Sequence, residues 1–172
     1  NTNSKMMDWF ADEYSKIKGK DLRGVVTGKT LAAGGSKGRD QATAQGGVYV
    51  LDEYSAENNL KPENTKVVIQ GFGNAGGVAK GYEIVGASDS QGGIVCTKGI
   101  DPASLLKCKT ENLSVKNCDV YIAELQGMEG ATCKKVTNEE LLETECDILI
   151  LAALENQVHA QNADKIKAKI II

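Results

Sequence analysis

The chain has 172 residues, 41% of them hydrophobic, and its 20 cationic and 23 acidic side chains give a formal charge of −3, which suits one domain with a real core. Charges of both signs are mixed along the chain, and no basic block could track a phosphate backbone, so nucleic acid is not an expected partner. No apolar run is long enough to span a bilayer and no secretory h-region is seen, so no membrane association and a cytoplasmic location are expected.

In chain order, Met6, Phe10 and Tyr14 recur four residues apart with Trp9 beside them, a helical stripe expected to pack on the domain. A glycine-rich loop carrying Lys29, Lys37 and Arg39 follows, and then Ala44, Val48 and Leu51 fall at helical spacing. The short apolar runs Val67 to Gln70 and Ile84 to Ala87 are bounded by turn residues and read as buried parallel strands. Gly92 and Gly93 suggest a hairpin after the second of them. Thr137 followed by Glu140 is a capping box that opens a helix. Asp147 to Leu151 reads as a third buried strand, "NADKIKA" as a helix, and "KIII" as a terminal strand. The alternation predicts an α/β, Rossmann-like doubly wound sheet, mainly parallel, with helices on both faces. Residues 1–60 read as an entry helix, basic loop and helix, and 61–172 as the dinucleotide-binding core.

Gly71, Gly73 and Gly76 form G-x-G-x-x-G directly after the first buried strand, and the second strand ends in Asp89. The first glycine permits a tight turn, the second a close approach of backbone to pyrophosphate, and the third close helix–strand packing; the acid suits ribose hydroxyls. A glycine turn that merely packs two elements has the same signature. Only seven residues separate Gly73 from Gly81, and a helix of that length rises about 10 Å against a strand of about 17 Å. The crossover is therefore either nonstandard or short of residues.

The five cysteines stand ten or more residues apart without CxxC or a nearby histidine, so free thiols and no metal site are expected. His159, the single histidine, has no placed partner and is assigned no role. Glu124, Glu129, Glu139 and Glu140 fall in polar stretches and form no general acid–base pair.

The ordered segments "MMDWFADEYS", "VVTGKTLAAGGSKGRDQAT", "VVIQGFGNAG", "SDSQGGI", "TNEELLE", "CDILILAALEN" and "NADKIKAKI" resemble the glutamate dehydrogenases, over nearly the whole chain. The resemblance implies an NAD(P)-dependent oxidoreductase that deaminates L-glutamate reversibly to 2-oxoglutarate and ammonia, usually as a hexamer. The match is to the cofactor domain alone. The substrate domain, with its catalytic residues, has no counterpart here, so the chain is expected to be a trimmed or truncated segment with no catalytic residue of its own and no activity alone. The family also has about half a dozen more residues after its fingerprint, and a proline where Leu151 stands.

Carried over residue by residue, the resemblance implies Thr43 near the nicotinamide carboxamide, Gly71, Phe72, Gly73, Asn74 and Ala75 in the phosphate cradle, Asp89 and Ser90 at the adenosine ribose, and Ala152 and Ala153 near the nicotinamide ribose. NAD is expected over NADP, since Asp89 would repel a 2'-phosphate and Ser90 and Gln91 follow it with no local cation evident, Lys98 folding back only if the Gly92–Gly93 hairpin allows it; NADP stays possible, and an Asp89 that only caps the turn is the alternative. A noncatalytic module binding NAD or an adenine nucleotide is the alternative.

Overall fold

In the computed structural model, which describes residues 2–39, 41–73, 81–126 and 132–172, the chain divides into two compact units, Asn1–Thr43 and Ala44–Ile172. The first unit is organised by helix α1, Ser4–Lys18. Asn3 caps it by accepting the Met6 N–H, and Gly19 ends it in the left-handed conformation. The expected apolar stripe is not its packing face: Met6, Trp9, Phe10 and Tyr14 are exposed, and Ala11 is the buried residue. The face at Asp8, Ala11 and Ser15 is tied down by hydrogen bonds instead. Asp8 accepts from the Thr30 N–H and hydroxyl at 2.9 and 2.7 Å, and the Ser15 hydroxyl accepts from the Leu22 N–H at 3.0 Å.

In the second unit, helix α2 (Ala42–Glu57, its first two residues lying in the first unit) buries Leu51 and leaves Ala44 and Val48 half-buried. The strands are β1 (Lys66–Gln70), β2 (Glu83–Asp89), β3 (Gly92–Cys96), β4 (Cys133–Val136), β5 (Ile148–Leu151) and β6 (Ile170–Ile171). They form one sheet in the order β4-β3-β2-β1-β5-β6. β1 pairs in parallel with β2 and with β5, and β5 with β6, whereas β2–β3 and β3–β4 are antiparallel. The β2–β3 hairpin is the one expected at Gly92 and Gly93.

Alternation along each strand sorts side chains onto two faces. Val67, Ile69, Ile84 and Ile148 meet Leu105 of helix α3 (Pro102–Asn112) and Ile122 of helix α4 (Asp119–Gln126) in one core. Val68, Val85 and Leu149 meet Leu141 and Leu142 of helix α5 (Asn138–Leu142) in the other. Both faces are therefore covered, and the fold is the expected Rossmann-like α/β arrangement. The Thr137–Glu140 capping box is formed in full.

Two further expectations fail. "NADKIKA" contains only the single 3-10 turn Ala163–Lys165. Beyond it Ile166, Ala168 and Ile170 are half-buried while Lys167 and Lys169 are exposed, a period of two that favours extended chain leading into β6. The cysteines are not all free: Cys96 bonds Cys133 across the β3–β4 pair, Cys108 bonds Cys118, and Cys146 alone is a thiol. Sequence spacing could not find these pairs, because the antiparallel register and the α3 turn create them.

Candidate nucleotide site

β1 stands where the strand order reverses, with β2 on one side and β5 on the other. In open α/β sheets, ligands bind beyond the carboxyl ends of strands at such a switch point. Here the carboxyl ends present Gly71 after β1, Asp89 closing β2, and Ala152 after β5.

The turn after β1 is fixed by backbone bonds. The N–H groups of Gly71 and Phe72 both donate to the Ser88 carbonyl, at 3.0 and 2.6 Å, and the Ala152 N–H donates to the Gln70 carbonyl at 2.9 Å. Gly71 has φ +90, and a Cβ there would lie 2.5 Å from the Ala152 carbonyl oxygen. Only glycine fits both the conformation and the space. At Gly73, which is exposed, a Cβ would meet nothing within 4 Å among the described residues. Its backbone is thus open to a ligand. Phe72 is buried and anchors the turn. The Gln70 side-chain oxygen is buried without a partner among the described residues, although its amide donates to Gln157 at 2.7 Å. A turn whose Gly71 admits no side chain, followed by the exposed backbone of Gly73 at the switch point, fits the phosphates of a dinucleotide.

Asp89 is placed as expected at the end of β2, yet its carboxylate is already engaged. Oδ1 accepts from the Ser114 hydroxyl at 3.0 Å and the Gln91 N–H at 2.9 Å, and Oδ2 from the Val115 N–H at 2.8 Å. The Lys109 ammonium lies 3.9 Å from Oδ2 and donates to the Phe72 carbonyl. The sequence reading missed Lys109, a cation beside the acid that arrives from α3, twenty residues downstream. Ser90, Ala152 and Ala153 are exposed at the same sheet edge. Behind them, Asn138 accepts from the Ser88 hydroxyl and donates to the Asp89 carbonyl. Asn74, Ala75 and Gly76, with the crossover, lie outside the described residues. Thr43 lies exposed in the first turn of α2, in the first unit. In the basic loop, Lys29 donates to the Val26 carbonyl.

A cleft of about 480 Å3 lined by Tyr82, Glu83, Lys98 and Asp101 lies at the amino end of β2, the opposite edge from the glycine turn. Burial pushes the Tyr82 phenol up, and the Ser104 hydroxyl and N–H hold Asp101 below the usual carboxylate range. Asp101 is the N-cap of α3, so this shift reports capping. Among the described residues no group of histidine, cysteine and acidic side chains could hold a metal, and no helix is long and apolar enough to cross a membrane.

The model of the Glutamate/Leucine/Phenylalanine/Valine dehydrogenase family matches residues 34–172. The chain is 40% identical over 177 residues to the catabolic NAD-specific glutamate dehydrogenase RocG of Bacillus subtilis, covering 99% of this chain and 39% of that protein. It is 41% identical over 178 residues to the NADP-specific glutamate dehydrogenase of a Synechocystis strain, covering 99% of this chain and 40% of that one. The hetero-hexameric glutamate dehydrogenase of Thermus thermophilus, in a leucine-bound form, superimposes with a TM-score of 0.79 at 29% identity, over 99% of this chain and 38% of that one. The chain thus spans about two fifths of the length of these relatives.

Proposed function

Since the chain belongs to the Glutamate/Leucine/Phenylalanine/Valine dehydrogenase family, we propose that it is the cofactor-binding part of a glutamate dehydrogenase, which deaminates L-glutamate oxidatively and reversibly to 2-oxoglutarate and ammonia. The carrying observation is the glycine turn at the switch point, where φ +90 at Gly71 and the nearby Ala152 carbonyl exclude any side chain. A bound nicotinamide supplies the two-electron hydride chemistry. This chain's contribution is position.

In this reading the Gly71–Phe72–Gly73 backbone faces the pyrophosphate, and Asn74 and Ala75 continue the loop. The edge at Asp89 and Ser90 receives the adenosine ribose. Ala152 and Ala153, small and exposed, leave room at the nicotinamide ribose, and Thr43 serves the carboxamide. Residues 1–172 alone are proposed to bind cofactor without turning over glutamate, because proton transfer belongs to residues outside this match. Hexameric assembly is proposed from the hexameric relative. A cytoplasmic location belongs to the same proposal, with both cysteine pairs placed to bond on oxidation; thiol counting on protein quenched in cells tests it, since a reducing compartment would leave both pairs as thiols.

Titration of NADH and NADPH into the protein, followed by nicotinamide fluorescence, tests the binding role. Saturable binding of either cofactor, weakened by Gly73→Ala, is expected; no binding of either overturns the reading. Glutamate-dependent reduction of NAD or NADP by a protein containing this chain and a substrate domain tests the reaction.

A further inference from the structure

We infer that Asn138 is a positioning residue for the cofactor: it braces the β2 peptide from which the glycine turn hangs, and so sets where the backbone of the turn meets the phosphates. The inference rests on the proposal that this sheet edge is the nucleotide site.

Two donors of the glycine turn share one acceptor. The N–H groups of Gly71 and Phe72 both donate to the Ser88 carbonyl, at 3.0 and 2.6 Å, so the turn moves with that carbonyl. Asn138 grips the chain on either side of it. Its Oδ1 accepts from the Ser88 hydroxyl at 2.6 Å, and its Nδ2 donates to the Asp89 carbonyl at 3.0 Å. A primary amide suits this task because it offers an acceptor and a donor a short reach apart. Ser88 is fully buried, where a hydroxyl without a partner is costly; among the described residues Asn138 is the partner of that hydroxyl.

Asn138 is itself fixed by its helix. It opens α5 directly after Thr137, whose hydroxyl accepts from the Glu140 N–H at 3.1 Å while the Glu140 carboxylate accepts from the Thr137 N–H at 2.8 Å. Leu141 and Leu142 of the same helix are buried in the core that holds Val68 of β1. The brace therefore runs from a capped and packed helix end, through Ser88, to the turn. A phosphate then meets a backbone already in place, whereas ordering a loose turn on binding would cost affinity.

The test pairs amide hydrogen exchange with cofactor titration, in Asn138→Ala, Ser88→Ala and the double variant. Asn138→Ala should speed exchange at Gly71 and Phe72 about tenfold relative to any change at Ile69 and Leu149, and should weaken NADH or NADPH binding about fivefold. Loss of stability alone would speed all four amides alike and leave the affinity of the folded protein unchanged. Ser88→Ala removes one of the same hydrogen bonds from the other side, so the double variant should bind cofactor no more weakly than Asn138→Ala. Exchange at Gly71 and Phe72 sped no more than at Ile69 and Leu149, unchanged cofactor affinity in Asn138→Ala, or additive losses in the double variant overturn the role of Asn138 alone. Failure of the wild-type protein to bind either cofactor overturns the nucleotide reading, and this inference with it.

Discussion

Replacing Gly71 and Gly73 separately by alanine distinguishes a glycine that shapes the turn from one that makes room for a ligand. At Gly71 an alanine would sit at φ +90, a left-handed backbone that costs an L-residue about 1–2 kcal/mol. Its Cβ would also stand 2.5 Å from the Ala152 oxygen, 2.7 Å from the Ala152 carbonyl carbon and 2.9 Å from the Ala153 nitrogen. These are backbone atoms of the β5 end, so no side chain can swing aside. Forcing the strand ends apart resembles overpacking, at about 1–3 kcal/mol. Gly71→Ala should therefore lose about 2–5 kcal/mol, a large share of an ordinary domain's stability. Gly73→Ala meets nothing within 4 Å among the described residues and should change stability by less than about 1 kcal/mol. Its methyl would instead occupy the approach of the pyrophosphate and weaken NADH or NADPH binding about tenfold or more. Urea unfolding measures the first effect and cofactor fluorescence the second. A loss below about 1 kcal/mol in Gly71→Ala would refute the close approach to β5, and unchanged cofactor affinity in Gly73→Ala would refute the phosphate role of the turn.

Loop closure ranks the two disulfides: Cys96–Cys133 spans 37 residues and Cys108–Cys118 spans 10, worth about 4 and about 3 kcal/mol. Removing the first pair as Cys96→Ala with Cys133→Ala should lower the urea midpoint more than the same change at the second, and the reverse order would contradict the ranking. Burial pushes the Cys146 thiol up to about 11, with the Asp147 charge adding to the rise, so iodoacetamide at pH 7.5 should leave native protein unlabelled and label one thiol in denatured, unreduced protein. The Lys169 ammonium at 2.6 Å and the Lys66 N–H hold the Asp147 carboxyl below its ordinary 3.8. A carboxylate with a depressed folded-state pKa stabilises above its unfolded value, and that contribution is lost as pH falls through the folded one. Asp147→Asn should therefore lower stability at pH 7 and flatten the acid limb below about pH 4, and parallel wild-type and variant curves from pH 7 to pH 2 would show that the contact contributes nothing.

Much of the second unit's fold was legible in the sequence. Val67 to Gln70, Ile84 to Ala87, and Ile148 with Leu149 are buried, so they appear as apolar runs, and Gly71, at the turn after the first of them, marks a backbone that no side chain would permit. The capping box at Thr137 and Glu140 was readable because both partners lie within one helical turn. What failed was long-range or depended on which face is buried. The stripe Met6–Phe10–Tyr14 announced a helix, but hydrogen bonds accepted by Asp8 and Ser15 chose its packing face. The "NADKIKA" segment offered helix-forming residues, yet pairing with β5 extends the chain that follows Lys165. The cysteine pairs depend on the β3–β4 register and on the turn after α3, neither of which spacing reveals.

The position of Asp89 at the end of β2 is a local fact, set by an apolar run and the glycines after it. Its environment is not. Ser114, Val115 and Lys109 lie 20 or more residues away in sequence, and only the packing of α3 onto the sheet brings them to the carboxylate. Sequence determined where an acid would stand, because strand periodicity is a short-range property of the chain. The tertiary structure decided how much of its charge a ligand would meet, because Coulomb interactions and hydrogen bonds depend on distance through space.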